Sequence, residues 1–269
     1  MTSNKILYIS YNNFSSLKEK KLASKFNKHF KNNFIWTPKF IKKNYKNLIW
    51  TTKDYTKNIS QSSLQPNIFR SWSKNGLQAW KPQIIYYSLI NLCKPNDILV
   101  YHDINFIKYP VYLNNYNFDK SFFSNSIFNY SIVLFRDSYQ PLKYQCKKDL
   151  LQKYKLQKYK NFNGFWSGCL IVKNNTYGRN FIKKWCKLST IDNLGASLDI
   201  NKEIPDFLVN SVDQSTLSVL YYKENRNKKC IKITYAPFRQ LFKFNFLYLR
   251  SIKTFFLIKY LEFKNKRLR

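Results

Sequence analysis

The sequence predicts an α/β domain built on a mainly parallel sheet with helices on both faces. Segments with helical periodicity alternate along the chain with short segments that are apolar at almost every position. Such apolar segments are typical of strands buried between two helical layers. The apolar content of 44%, with 19% aromatic residues, indicates a folded core rather than a disordered chain.

The first predicted unit is a strand, a helix and a second strand. Residues 5–11 have the pattern of a strand. Ser16 and Glu19 form a capping-box pattern at the start of a helix. Leu22, Phe26 and Phe30 recur along one face of that helix, and a short strand follows at residues 34–37.

The second predicted unit places an acid at the end of a buried strand. Pro82 suits the first turn of a helix, whose apolar side is formed by Ile85, Leu89 and Leu92. Residues 94–97 break this helix, and the apolar strand 98–101 runs into His102 and Asp103. In open α/β sheets ligands bind beyond the carboxyl ends of the strands, which makes Asp103 a candidate ligand contact.

The remainder of the predicted domain continues the alternation. Strands are expected at residues 132–135, 169–173 and 231–235. Helices are expected at 177–188 and 214–223, with six side chains directed inward: Phe181, Trp185, Leu188, Leu217, Leu220 and Tyr221. We predict one domain over residues 1–237 and a separate basic aromatic C-terminal tail over residues 238–269.

The predicted tail interleaves aromatic and aliphatic residues with Lys and Arg and contains almost no acids. This pattern suits an amphipathic element at an anionic membrane surface. It equally suits a terminal helix that packs its apolar side on the domain. No run of 18 uncharged apolar residues occurs, so the sequence predicts no membrane-spanning segment.

The net charge indicates an anionic partner, and the glycine content disfavours two classes of nucleotide-binding protein. The chain has 47 Lys and Arg against 14 Asp and Glu, a net charge of +33, which attracts polyanions such as nucleic acid, anionic lipid or nucleotides. It has only 5 Gly and neither a GxGxxG nor a GxxxxGK[ST] pattern. Both a Rossmann dehydrogenase and a P-loop NTPase are therefore disfavoured.

The five cysteines are scattered, odd in number and contain no CxxC pair. They indicate reduced thiols rather than a disulfide framework or a zinc site. Since residues 5–11 have the pattern of a strand and not of a signal peptide, we expect a cytoplasmic protein, including a peripheral position on the inner membrane face.

Asp103 has the position and the donor atoms of a metal ligand. Carboxylate oxygens suit Mg²⁺ and Mn²⁺, which neutralise a diphosphate leaving group when a sugar is transferred from a nucleotide. His102 is a weaker candidate because side chains alternate along a strand, so that His102 and Asp103 point in opposite directions. The structural alternative is an acid that caps the loop after the strand.

Six short segments carry a likeness to a known family: WTP at 36–38, WKP at 80–82, DILVYHD at 97–103, KKD at 147–149, GFWSG at 164–168 and VDQS at 212–215. Together they resemble a family of bacterial and viral GT-A-type glycosyltransferases. That family combines a WKP segment, a strand of the type GDILLYxDAG, a K-x-D element and an HDQS motif. The six segments of this chain occur in the same order, within about residues 5–235. The chain differs from the family at three places. Tyr101 stands where the family has the first acid of a DxD motif, and residues 104–105 replace an Ala-Gly pair. Val212 replaces the His that precedes DQS.

The resemblance implies a GT-A-like fold and transfer of a sugar from a UDP- or GDP-linked donor to a glycan or lipid-linked acceptor, assisted by Mn²⁺ or Mg²⁺. It implies that Asp103 binds the metal. It also implies donor or substrate contacts from residues in four of the matching segments: Trp80, Lys81, Tyr101, His102, Gly164, Trp166 and Gln214.

Asp213 is the first candidate for the general base or for a carboxylate that anchors the acceptor hydroxyl, followed by Asp206 and Glu203. Asp213 is also well placed to cap the helix that follows it. Lys81 and Lys147 could pair with a diphosphate, although most lysines in so basic a chain are solvated. Asp149 is expected to be structural, paired with one of these two lysines.

Two other functions remain open at the level of sequence. A basic module that binds nucleic acid would explain the charge and the aromatic content, but no HTH, RRM, KH or OB pattern is present. A GT-A-like scaffold without activity, or an adaptor at an anionic membrane, would tolerate the missing first acid. Loss of metal-dependent nucleotide-sugar binding in Asp103→Asn distinguishes the enzyme from both.

Overall fold

The computed structural model describes residues 5–12, 16–37, 40, 80–104, 129–189, 212–224 and 229–235. Two expectations fall outside these ranges: the tail at 238–269, and the candidate bases Glu203 and Asp206. Within the described ranges no helix is both long and apolar enough to cross a bilayer. All five cysteines are free thiols.

The described residues form six strands and six α-helices. The elements in chain order are β1 Ile6–Tyr11, α1 Leu17–His29, β2 Asn33–Trp36, α2 Trp80–Asn91, β3 Ile98–His102, β4 Ile132–Pro141, α3 Leu142–Gln145, α4 Lys148–Lys153, β5 Asn163–Lys173, α5 Thr176–Leu188, α6 Val212–Lys223 and β6 Ile231–Tyr235. A 3₁₀ turn at Gln157–Tyr159 follows α4.

The strands form one mixed sheet in the order β2-β1-β3-β5-β4-β6. The pairs β1–β2, β1–β3 and β4–β6 are parallel, whereas β5 runs antiparallel to both of its neighbours. The predicted α/β class with a mainly parallel sheet is therefore confirmed. The direction of β5 was not predicted.

The predicted capping box and the inward side of α1 are confirmed. The Ser16 hydroxyl accepts a hydrogen bond from the Glu19 amide, and the Glu19 carboxylate accepts one from the Ser16 amide. Such a cap satisfies amide groups that the helix itself leaves without partners. Leu22, Phe26 and Phe30 are buried in a cluster on this side of the sheet.

The other face of the sheet carries the main core. Alternate strand residues such as Leu7, Ile9, Leu99 and Tyr101 lie in it together with side chains of α2, α5 and α6. The six inward side chains predicted for α5 and α6 are all buried there. The prediction for Leu92 is wrong, because α2 ends at Asn91 and Leu92 is 44% exposed.

The carboxyl ends of β1 and β3 lie side by side where the order of strands reverses. From β1 the chain proceeds to β2 on one side, and β3 lies on the other side of β1. In doubly wound sheets this is the crevice in which ligands bind. Asp103 follows β3 directly and therefore lies at this edge.

Candidate functional site

Three charged residues from distant parts of the sequence meet at the carboxyl end of β3. The Lys81 ammonium lies 2.5 Å from Asp213 Oδ2 and 3.3 Å from Asp103 Oδ1. Lys81 belongs to the first turn of α2, Asp103 follows β3, and Asp213 belongs to the first turn of α6. We call these three residues the ion cluster.

The strand and helix positions explain why these side chains converge. Side chains alternate along β3, so Tyr101 and Asp103 point to the face covered by α2 and α6, whereas His102 points to the α1 face. The Asp103 amide donates a hydrogen bond to the Gly168 carbonyl at 2.9 Å, which fixes the chain where it leaves β3. The Tyr101 hydroxyl donates to Asp103 Oδ1 at 2.5 Å.

Ser167 is a fourth member of the site that the sequence analysis did not single out. The Lys81 ammonium donates to Ser167 Oγ at 3.5 Å, and the Ser167 hydroxyl hydrogen-bonds Asp213. The pairing of β4 with β5 shifts from Leu134–Leu170 to Phe135–Trp166, which leaves residues 167–169 as a bulge in β5. Bulges commonly redirect a side chain next to a functional site.

Burial divides the ion cluster into an inner and an outer part. The side chains of Lys81 and Asp213 are 2% and 5% exposed, whereas the Asp103 side chain is 29% exposed. Lys81 is the one cation of the cluster and faces two carboxyl groups. Asp103 is therefore the most exposed member of the ion cluster and the one best placed to attract a cation.

Electrostatics stabilises the charged form of Lys81. Burial lowers the pKa of the ammonium, but Asp103 and Asp213 outweigh this effect, so the pKa is raised from its usual value. For Asp213 burial raises the carboxyl pKa, and the adjacent Lys81 ammonium opposes that rise. Burial alone favours the neutral forms of the Lys81 amine and the Asp213 carboxyl. Because the two groups are in contact, each stabilises the charge of the other in the buried site.

An aromatic pair flanks the ion cluster at the end of β1. The rings of Tyr11 and Trp80 stack with their centroids 4.0 Å apart. Trp80 is 5% exposed, and its indole nitrogen has no hydrogen-bond partner among the described residues. Trp80 therefore presents an unused donor close to the Lys81 backbone.

The other residues of the GFWSG segment pack closely around Ser167. A Cβ on Gly164 would lie 1.9 Å from the Gln145 amide nitrogen, and one on Gly168 would lie 2.4 Å from the Trp166 ring. Trp166 is 8% exposed. Both glycines therefore permit close approach of neighbouring side chains.

Gln214 lies next to Asp213 but is directed elsewhere. Its amide nitrogen donates to the Gln145 side-chain oxygen at 2.9 Å, and the Ser215 hydroxyl donates to the Gln145 carbonyl. The expected N-cap role of Asp213 is wrong, because Asp213 is the second residue of α6 and its carboxylate pairs with Lys81.

His102 is not brought to the ion cluster. It is fully buried between the sheet and α1, where its ring lies 5.8 Å from that of Phe30. Burial, together with His29, lowers the pKa of the imidazole to about 3, so His102 is neutral at physiological pH. Lys147 is also buried, and it pairs with Asp149 at 3.2 Å, as expected for a structural Asp149.

The ion cluster offers carboxylate oxygens, the ligands that a divalent cation such as Mg²⁺ prefers. Within the ranges that the structure describes, no group of three or more His, Cys, Asp or Glu could hold a metal ion. Mg²⁺, however, is commonly bound through one or two carboxylates together with substrate phosphates. The partly exposed Asp103 carboxylate fits this binding of Mg²⁺ through one carboxylate and substrate phosphates.

No protein-family model, curated protein or solved structure matches this chain.

Proposed function

We propose that this chain is a glycosyltransferase that uses a nucleotide-sugar donor and a divalent cation. The observation that carries the proposal is the ion cluster. The WKP segment, the strand that ends in Asp103 and the VDQS segment each contribute one charged side chain to it. A GT-A-like version of the α/β fold belongs to the same proposal.

The position of the ion cluster supports this function. It lies at the carboxyl ends of the strands, beside the point where the strand order reverses, where open α/β sheets bind nucleotides. The net charge of +33 suits an anionic donor. A UDP- or GDP-linked sugar would place its diphosphate beside Asp103.

The proposed role of Asp103 follows from its exposure and its charge. Its carboxylate would hold Mn²⁺ or Mg²⁺, and the ion, when bound, neutralises the charge that develops on the diphosphate leaving group. The Tyr101 hydroxyl and the Lys81 ammonium contact Asp103 Oδ1 and hold that carboxylate in place. A ligand held in advance loses less entropy when the donor binds.

Asp213 is proposed to act on the acceptor side, as a base or as an anchor of the hydroxyl. Burial raises the pKa of its carboxyl, which is the direction that favours acceptance of a proton from a hydroxyl. The Lys81 ammonium, 2.5 Å away, keeps the carboxylate oriented and limits that rise. The acceptor is proposed to be a glycan or a lipid-linked saccharide precursor.

A thermal-shift screen tests the proposal. The purified protein is mixed with UDP-, GDP-, CMP- and dTDP-sugars with and without Mn²⁺. We expect one nucleotide class to raise the melting temperature in the presence of metal, because a ligand that binds only the folded state stabilises it.

The decisive comparison is between two Asp→Asn variants. Asp103→Asn is expected to abolish the metal-dependent shift. Asp149→Asn, which changes an exposed acid paired with Lys147, is expected to preserve it. If a folded protein shows no shift with any donor, or an equal shift in both variants, the proposal is wrong.

A further inference from the structure

A long connection between two adjacent strands packs against the main core. β4 and β5 are antiparallel neighbours, which a loop of about 2–5 residues can join. Here residues 142–162 intervene, and they contain α3, α4 and the 3₁₀ turn. The ends of this segment are tied together, since the Leu142 amide donates to the Phe162 carbonyl at 2.9 Å and the Lys143 amide donates to the Lys160 carbonyl at 2.8 Å. We call residues 142–162 the basic cap.

The basic cap has an apolar side that is buried in the main core and a positively charged outer surface. Leu150, Leu151 and Leu156 are buried. The one acid of the segment, Asp149, pairs with Lys147 at 3.2 Å. The exposed surface carries five lysines: Lys148, Lys153, Lys155, Lys158 and Lys160.

Aromatic rings lie beneath and between these lysines. The Lys158 ammonium lies 5.1 Å from the centre of the Tyr159 ring, and that ring stacks on Tyr222 at 4.9 Å. Phe162 packs edge-on against Tyr159 and is nevertheless 52% exposed. The cap therefore presents an apolar ring within a group of cationic side chains.

The basic cap stands at the same edge of the sheet as the ion cluster. β3 and β4 both run antiparallel to β5, which lies between them, so β3 and β4 point in the same direction, as does β6. The carboxyl ends of β3 and β4 therefore lie at one edge of the sheet. Gln145 of the cap is hydrogen-bonded to Gln214 and Ser215, the residues that follow Asp213. A surface that docked on the cap would therefore lie close to the candidate site.

We propose that the basic cap binds an anionic membrane surface and turns the edge of the sheet that carries the ion cluster toward the lipid headgroups. Lysines near an anionic leaflet each contribute attraction, and an exposed aromatic ring among them enters the headgroup region. Single-stranded nucleic acid, in contrast, is bound by stacking of bases on open aromatic faces. Tyr154 and Tyr159 are half-buried, and lysines lie over their rings, which favours the membrane.

Cosedimentation of the full chain with vesicles tests this proposal, and it needs no glycosyl transfer, so its outcome is independent of the proposed function. Vesicles of phosphatidylcholine alone are compared with vesicles that also contain phosphatidylglycerol. We expect binding to the anionic vesicles only, and we expect it to weaken as salt is added.

Two variants that each lose four positive charges distinguish the contribution of the basic cap to vesicle binding from that of the net charge of the chain. The cap variant is K148Q/K153Q/K158Q/K160Q, and the control is K18Q/K20Q/K21Q/K25Q, which changes exposed lysines of α1. Thermal unfolding first establishes that both are folded. The cap variant is expected to lose about tenfold or more in vesicle affinity, and the control to lose much less. Phe162→Ser is expected to weaken binding without any change in charge.

Three outcomes would overturn the proposal. Equal losses in the two variants would mean that only net charge matters. Full binding by the cap variant would place the membrane contact elsewhere in the chain. Loss of binding to a single-stranded oligonucleotide in the cap variant, with vesicle binding intact, would identify a nucleic-acid surface instead.

Discussion

At the scale of single residues, the main feature of the candidate site is a buried lysine paired with two acids. Lys81 is 1% exposed and is paired with Asp213, which is 3% exposed. Removal of one partner from a buried ion pair leaves the other charge without compensation, and that loss costs more than the intact pair gains. The ion cluster is therefore held together by its own charges.

Replacement of Lys81 by Met tests this dependence. We expect Lys81→Met to lower the free energy of unfolding by about 3–5 kcal/mol, because Asp213 stays buried without a counter-ion. Urea denaturation at neutral pH measures the loss. Lys147→Met is the matched control: Lys147 is equally buried, but the side chain of its partner Asp149 is 59% exposed and water can solvate the carboxylate. A loss in the control as large as in Lys81→Met would contradict the argument.

His102 gives a second prediction at this scale, on pH dependence. Burial first, and then His29, lowers the imidazole pKa in the folded protein from 6.5 to about 3. Below pH 6.5 the unfolded chain binds a proton that the folded chain does not, so His102 destabilises the fold as the pH falls from 6.5 toward 3. The cost is about 1.4 kcal/mol per pH unit in this window. Urea denaturation between pH 6.5 and 4 should show that the free energy of unfolding falls less steeply with decreasing pH in His102→Phe than in the wild type. An equal slope in the two proteins would mean that His102 is not the cause of the pH dependence.

The residues of the site were predictable from sequence only in part. Asp103, Lys81 and Asp213 stand out because each lies in a distinctive segment, and the structure brings them together. Ser167 was missed although it lies inside the GFWSG segment, because a serine within a predicted strand carries no signal of its own. Its contact with Lys81 depends on the bulge in β5, which is a property of strand pairing rather than of local sequence.

At the scale of elements, all six strands were predicted whereas the helices α3 and α4 were not, but the bounds were predicted more closely for α5 and α6 than for β4 and β5. Residues 177–188 and 214–223 were expected to be helical, and α5 and α6 differ from these ranges by one or two residues. β4 and β5, in contrast, extend well beyond residues 132–135 and 169–173. Their extensions contain Arg, Asp, Asn and Gly, and pairing with neighbouring strands overrides the weak local preference of these residues.

The end of α4 gives a prediction at this scale. The Lys155 amide donates to the Gln152 carbonyl and the Leu156 amide donates to the Leu151 carbonyl, the two bonds of a Schellman motif. Lys155 therefore occupies the left-handed position, with φ of 54°, where glycine is preferred. We expect Lys155→Gly to raise the free energy of unfolding by about 1 kcal/mol.

Thermal denaturation measures this gain. Lys155→Ala removes the same charge but keeps a Cβ, so it should not stabilise the protein. A rise in melting temperature of equal size in both variants would attribute the effect to the lost charge and not to the backbone.

At the scale of the whole molecule, the class of fold followed from sequence but the order of strands did not. Apolar strands alternating with helices predict a buried, mainly parallel sheet. The antiparallel insertion of β5 between β3 and β4 depends on contacts between residues far apart in the chain, such as His102 with Cys169. This insertion carries Ser167 to the ion cluster and the basic cap to the same edge of the sheet.

The central claim is that the ion cluster is the site of sugar transfer. The most direct measurement is the rate at which nucleoside diphosphate is released from the donor that the thermal-shift screen identifies, in the presence of Mn²⁺ and acceptor. We expect Asp103→Asn and Asp213→Asn each to lower kcat/KM by about 100-fold or more, because both remove a charge at the reacting centre. Asp149→Asn should retain the wild-type rate. Wild-type release by folded Asp103→Asn and Asp213→Asn proteins would contradict the account.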